Sequence, residues 1–552
     1  MIRIGNASGF YGDRFAAMKE MLTGGELDYL TGDYLAELTM LILGRDRMKD
    51  PGRGYARTFL SQLEEGLGLA IDKNVRIVTN AGGLNPAGLA QAVRDLATRL
   101  GLEVKVSHVE GDDLLEHGFP GALTANAYLG CWGIVECLNT GADIVVTGRV
   151  TDASLIAGPA AAHFGWGRQD LDQLAGATVA GHVIECGTQA TGGNFAFFTE
   201  VADRTHPGFP IAEIDATGEA VITKHTGTGG AVTVDTVKAQ LLYEIGGPRY
   251  LGPDVTSRFD TIRLTQAGED RVAITGVKGE APPDTVKVCV NTLDGFRNSM
   301  TFVLCGLDIE EKAALARRQL TEAVGAEGLV WTLARTDHAD ADTEEAASAL
   351  LHVTIKTPDP KRAKAFSRAS VELALASYPG FTLTSPPADG TPVGVYRPEY
   401  VSQQVIEQVA VLPDGERRTI DPPVTFGGAA AESPAEPAYQ AGPTRRVPLG
   451  TIVGARSGDK GGDANLGVWV RDPAAYPWLA AELTVDRLRE LLPEAKDLDI
   501  ERHPLPNLTA VNFVLHGLLG QGVAASTRFD PQAKSLGEWL RSRHVDIPEA
   551  LL

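Results

Sequence analysis

Residues 75–102 read VRIVTNAGGLNPAGLAQAVRDLATRLGL. The opening run is apolar and β-branched, as expected of a strand buried on both faces, and the end carries the period of an amphipathic helix. Asn80, Gly82, Gly83 and Asn85 fall between them, where the strand stops. In open parallel sheets ligands bind outside the carboxyl ends of the strands, in the loops that enter the helices. Asn80 and Asn85 are therefore candidate ligand contacts.

The same grammar recurs on either side. IRIGNASGFYGDRFAAMKEML (2–22) reads as strand, glycine turn and helix, and puts Asn6 and Ser8 in the turn. LEVKVSHVEGDDL (102–114) is a strand with its exit loop, and GADIVVTGRVTDASLIAGPAAAHFGW (141–166) is strand, loop and helix. Four such units in the first 165 residues predict an α/β fold with a doubly wound, mostly parallel sheet. Its exit loops, at 5–12, 80–85, 108–113 and 148–152, should share one edge. GNASGFYG fits neither GxGxxG nor GxxxxGK[ST], so it is either a phosphate contact or a plain tight turn. LDYLTGDYLAELTMLILGR (27–45) reads as a helix with Asp33 and Glu37 one turn apart, either a solvated face or a metal pair.

Composition limits the function. The 552 residues exceed what one core serves, so two or three domains are expected. Hydrophobic residues at 43% and charged residues at 22% belong to a globular chain. A formal net charge of −21 argues against nucleic acid and anionic membrane as partners, although local arginines still suit an anionic ligand. Five scattered cysteines form no CxxC pair and read as reduced thiols. With no apolar run of about 18 residues, and Met1 leading straight into a strand, a cytoplasmic protein outside the membrane is expected.

Reactive side chains concentrate between Arg149 and Asn194. GRVTDASL supplies Arg149, Thr151 and Asp152, and HVIECGTQATGGNF supplies His182, Glu185, Cys186, Gln189, Gly192, Gly193 and Asn194. Glycines admit a ligand close to the backbone, while hydroxyl, amide and carboxyl groups orient it. Asp152, Glu185 and His182 are the acid/base candidates. His182 reads equally as a packed, hydrogen-bonded histidine, and Cys186 as a small buried hydrophobe or a nucleophile. No third ligand at recognisable spacing makes a zinc site.

From residue 200 to 426 short period-two stretches alternate with helices, an α+β pattern. HTGTGG (225–230) is either an anion-nesting loop or a hairpin loop. Residues 427–448 are rich in alanine, proline and glutamate without apolar period and read as a linker. Beyond it, 449–552 reads as a small α/β sandwich of ferredoxin type. Its RSGDKGGDANLG (456–467) gathers Arg456, Ser457, Asp459, Lys460, Asp463 and Asn465. Lys460 with the glycines suits a phosphate, and Asp459 with Asp463 a divalent cation.

Taken together, GNASGFYGDR, NAGGLNP, TGRVTDASL, ECGTQATGGNF and RSGDKGGDANLG resemble the acyclic terpene utilisation protein AtuA family along essentially the whole chain. The resemblance implies a large N-terminal domain, a ferredoxin-like C-terminal one, and a place in bacterial breakdown of acyclic isoprenoids or branched acids. The resemblance also implies acyl-CoA dehydrogenases, biotin-dependent acyl-CoA carboxylases and enoyl-CoA hydratases working alongside. The leading expectation is an enzyme acting on a branched or unsaturated acyl-CoA, by hydration, dehydration or carbon–carbon lysis, with CoA as part of the substrate. The alternative is a noncatalytic partner of an acyl-CoA carboxylase. A homo-oligomer is the prior for a bacterial enzyme of this size.

Overall fold

The computed structural model describes residues 1–427, 434, 437–440 and 442–552. The remaining positions of the expected 427–448 linker lie outside the described residues, and its last residues, Thr444–Pro448, form a strand paired with His544–Pro548.

The centre is a run of parallel strands: β1 (Ile2–Asn6), β2 (Tyr29–Gly32), β3 (Arg76–Thr79), β4 (Val106–Glu110) and β6 (Ile144–Thr147), ordered β1-β2-β3-β6-β4. Registers such as Ile4↔Tyr29, Leu30↔Ile77 and Ile77↔Ile144 align their carboxyl ends on one edge. β5 (Ala122–Ala127) leaves this sheet and runs beside the first half of the strand Thr285–Cys305, Tyr128 N donating to Lys287 O at 2.9 Å. Antiparallel strands extend the sheet to eleven: β7 (Pro210–Ile214), β8 (Ala220–Lys224), Arg271–Thr275 and Arg263–Gly268 beyond β1, and Val409–Val411 and Arg417–Thr419 beyond β4.

Helices cover both faces. Leu30, Ile77, Ile144 and Val146 turn to the layer of α1 (Ala17–Gly24), α3 (Arg57–Asp72) and α4 (Pro86–Leu100). Their neighbours Tyr29, Val78 and Val145 turn to α5 (Trp132–Asn139), α6 (Ser154–Phe164) and α7 (Leu171–Ile184). Strands buried on both faces read as continuous apolar runs, which is why 75–79 and 144–147 were legible. The expected single helix over 27–45 is instead β2 and then α2 (Glu37–Lys49). Asp33 therefore stands at a strand exit, not on a helix face.

Residues divide into two compact units: Met1–Asn291 with Tyr396–Val523 and Asp530–Leu552, and Thr292–Val395 with Ala524–Phe529. The second holds an antiparallel sheet in which Ser348–Thr357 lies between Leu329–Ala334 and the far half of Thr285–Cys305, with helices Ile309–Val324 and Pro360–Glu372. Its core is Phe302, Leu304, Leu320, Leu351 and Phe366.

In the first unit the C-terminal region is a hairpin, helices, a second hairpin and a helix. Val453–Lys460, Asp463–Val470, Ala510–Leu515 and Ile500–Leu505 make an antiparallel sheet in that order. Leu466, Val468 and Phe513 face its helices, while Trp469 joins the core of the N-terminal part. The other face sits on the residues after α8 (Val234–Leu241). A Cβ at Gly467 would meet Leu242 Cβ at 2.5 Å, and one at Gly458 the Tyr243 ring at 2.4 Å. The glycines of RSGDKGGDANLG let this sheet seat. Among the described residues no helix is long and apolar enough to cross a membrane.

Candidate active site

The exit loops meet at the carboxyl edge of the parallel strands, as their order requires. After β3, Asn80 donates from Nδ2 to Asp33 Oδ1 at 2.6 Å and accepts Tyr34 N at 2.7 Å. After β1, the Asn6 amide donates to the carbonyls of Ile184 and Glu185 at 2.8 and 2.9 Å, clipping the end of α7 over the sheet. Gly9 allows this approach, since a Cβ there would lie 2.5 Å from Gly187 N. Ser8 is buried, with Oγ bonded to Phe10 O. After β6, Arg149 N donates to Asp112 Oδ2 at 2.9 Å, and the guanidinium pairs with Asp152.

These loops wall a cleft dominated by carboxyls. Asp33, Glu37, Asp152 and Glu185 are joined by Glu244, just after α8, and by Asp459 of the C-terminal hairpin. Burial, then the charge of Asp152, pushes Asp33 well above the carboxylate range. Burial, with Asp152 and Glu244 adding, does the same to Glu185. Burial raises Asp152 too, against the pull of Arg149. Burial and neighbouring carboxyls lift Glu244 to about 7 and Asp459 to about 8. At Glu37 burial is outweighed by Lys287, 3.3 Å away, and by Arg149, so its carboxyl falls to about 2. Like charges this crowded cannot all ionise, so the group shares protons near neutral pH. Asp152, Lys287 and Glu244 keep side-chain exposures of 29, 32 and 40%. At these exposures solvent screens part of the shift burial imposes.

Among the described residues, several polar atoms along these walls are buried and unpaired: Arg149 Nε and Nη1, Glu185 Oε2, Gln189 Oε1, Tyr396 Oη and Arg456 Nη2. Orphaned buried donors and acceptors are costly, and a cluster of them marks where a ligand completes the bonding. Arg149 is 1% exposed and lies 4.2 Å from the Tyr128 ring centroid, with Lys287 Nζ 4.8 Å from the same ring. The ring and Asp152 fix its fork and leave two nitrogens idle.

His182 is set behind Glu185. Its Nδ1 lies 3.2 Å from Glu185 Oε1, its ring packs on Tyr250 and Phe259, and it is 1% exposed. Burial lowers it to about 4, so it is neutral and steadies Glu185. The Cys186 thiol is pushed well up by burial, Glu185 and Glu244.

Other expected residues have local duties. Asn85 caps α4, accepting Gly88 N at 2.9 Å, and Thr151 pairs with Ser154 at the start of α6. Gly192, at φ +107°, closes the 3-10 turn Gly187–Thr191, Gly193 packs on the Thr188 carbonyl, and Asn194 offers its carbonyl to Arg456 at 3.5 Å. Ser457 Oγ accepts Gly537 N, and Asn465 Oδ1 accepts Glu244 N at 2.7 Å, holding the hairpin to the end of α8. Lys460 Nζ reaches Glu244 O at 3.4 Å. Asp463 turns away from Asp459 to His516 at 2.9 Å and Gly517 N at 2.8 Å. Among the described residues no group of three or more histidine, cysteine or acidic side chains is placed to hold a metal. HTGTGG is a loop from β8 to α8, not a hairpin, and His225 Nε2 bonds Met21 O.

The residues that sequence reasoning missed are Lys287, Tyr128, Tyr243, Glu244 and Lys534, while Asp33 was noticed but placed on a helix, and Glu37, which does open α2, pairs with Lys287. Asp33 had a signal, a polar residue after the short apolar run 29–31. The others lie in unremarkable stretches and converge only through packing.

Fold and cleft define a doubly wound α/β protein with a ferredoxin-like C-terminal domain seated on it. The chain belongs to the acyclic terpene utilisation family protein AtuA family, which it matches over residues 2–412, and residues 447–546 match the AtuA ferredoxin-like domain. The resemblance of its motifs is thus borne out. A search of curated proteins finds no match.

Proposed function

We propose that the chain is an enzyme that moves protons on a branched or unsaturated acyl-CoA, by hydration, dehydration or carbon–carbon lysis. One observation carries the reading: the idle Nε and Nη1 of Arg149 stand in a cleft with carboxyls of unequal proton affinity. Two carboxyls whose surroundings separate their proton affinities divide into acid and base. Asp152, stabilised as an anion by Arg149, is the base. Glu185, kept protonated by burial, is the acid.

In the dehydrating direction Asp152 takes the proton from the carbon next to the thioester, and the C–H electron pair moves toward the thioester oxygen. Arg149 donates to that oxygen as charge gathers on it. The pair then closes the double bond, and the hydroxyl leaves with the proton of Glu185 as water. Hydration is the reverse. In lysis the base takes the hydroxyl proton, the carbon–carbon bond breaks into a carbonyl and the enolate, and the acid returns a proton to carbon. Family membership in acyclic terpene utilisation supports the branched, unsaturated acyl class.

The test is to incubate the purified chain with branched and unsaturated acyl-CoAs, with and without Mg²⁺, and read products by mass. Gain or loss of water, or cleavage into two carbonyl products, is expected. No turnover together with tight binding to a biotin-dependent carboxylase would replace this reading with the adaptor.

A further inference from the structure

Tyr243, just after α8, gathers two cations from the C-terminal region: the Arg456 guanidinium carbon lies 4.4 Å from its ring centroid, and Lys534 Nζ, also 4.4 Å from that centroid, donates to its hydroxyl. Two like charges at one tyrosine repel, and neither is well neutralised. Lys534 reaches Glu244 at 3.8 Å and Asp459 at 4.0 Å, both long for ion pairs, and among the described residues Arg456 has only the Asn194 carbonyl at 3.5 Å. Arg456 is 7% exposed, and its Nη2 is buried without a partner among the described residues. Lys534 is 34% exposed and faces water. A guanidinium buried with an idle donor is costly unless something pairs with it, and its planar fork matches an oxyanion. Burial lowers the proton affinity of both cations, the direction expected of positive charge short of counter-charge. Glu244 and Asp459, the carboxyls facing them, are held toward their neutral forms.

We propose that Arg456, set on the Tyr243 ring, and Lys534, held by the Tyr243 hydroxyl, form an oxyanion subsite that takes a carboxylate or phosphate group of the ligand. The C-terminal domain thereby supplies part of the cleft. This subsite adds to the proposed reaction and rests on it only in sharing the cleft, since Arg456 and Lys534 both bear electrostatically on Cys186, next to Glu185. The competing explanation is a structural one, two cations stapling the domain to Tyr243.

Calorimetric titration of the full chain with inorganic phosphate, glutarate and CoA separates the two. The subsite predicts saturable binding of at least one, weakened tenfold or more in both Arg456→Gln and Lys534→Gln, with Arg456→Lys intermediate. Lys534→Gln, at a partly exposed position, keeps the test open should an Arg456 variant fold poorly. Glutarate binding with phosphate silent identifies a carboxylate; phosphate and CoA binding with glutarate silent identifies a phosphate. No binding to the wild type, or binding unchanged in both Gln variants, overturns the subsite. Because the readout is anion binding, that failure leaves the acid/base reading to its own substrate test.

Discussion

Asn80 Nδ2 donates to Asp33 Oδ1 at 2.6 Å, tying the first residue after β3 to the first after β2. Both are buried, and the other end of the same amide accepts Tyr34 N. Asn80→Ala therefore orphans the Tyr34 N–H and leaves Asp33 Oδ1 with the Leu35 N–H alone, at 3.1 Å. An orphaned group costs about 1–3 kcal/mol, so urea unfolding should show a loss on that scale, with turnover lowered as Asp33 loses its orientation.

Gly9 lies where the β1 exit loop meets the end of α7. An added Cβ would sit 2.5 Å from Gly187 N and 2.6 Å from the Cys186 carbonyl carbon, and backbone cannot swing aside. Gly9→Ala should cost at least the ~1–3 kcal/mol of ordinary overpacking, read as a lower Tm. Turnover should fall further than that of a surface glycine variant, because the displaced segment carries Glu185.

Asp112 links stability to pH. Burial raises its carboxyl to about 7, so the folded state holds a proton that the unfolded chain releases. That stability is complete below the unfolded value and is lost as pH rises to and through about 7. Arg149 N and Asn126 Nδ2 both donate to the same oxygen, Oδ2. Asp112→Asn can keep both bonds while removing the titration. Melting between pH 5 and 8 should show a smaller fall of Tm in the variant than in the wild type.

Cys186 lies beside Glu185, yet its thiol is held protonated by burial and two carboxyls. Only the thiolate is nucleophilic. Cys186→Ser should keep turnover within a few-fold, and iodoacetamide at pH 7 should label the wild-type residue slowly.

Much of this site was readable from residue order alone. Apolar runs at 2–4, 75–79 and 144–146 each end in polar, glycine-rich loops, and parallel strands bring such loops together without help from any contact. Asn6, Asn80, Arg149 and Asp152 were placed on the shared edge that way, and Glu185 came from the density of reactive side chains in HVIECGTQATGGNF. β2 escaped because it is short and the apolar residues after it carry a helical period, which misplaced Asp33. Tyr243, Glu244, Lys287 and Lys534 escaped for another reason: long-range packing alone brings them to the cleft. Two glycines of RSGDKGGDANLG have a duty that residue order did not show. Gly458 and Gly467 are small so that the C-terminal sheet can lie against Leu242 and Tyr243.

The central claim is that Asp152 and Glu185 move the proton. Its most direct measurement is turnover of the acyl-CoA panel, read by product mass, for the wild type, Asp152→Asn and Glu185→Gln. Loss of a general acid or base lowers the rate by about 10²–10⁴-fold, and a fall of that size in both variants, with Tm within a few degrees of the wild type, is the predicted result. Full wild-type turnover by both variants would contradict it.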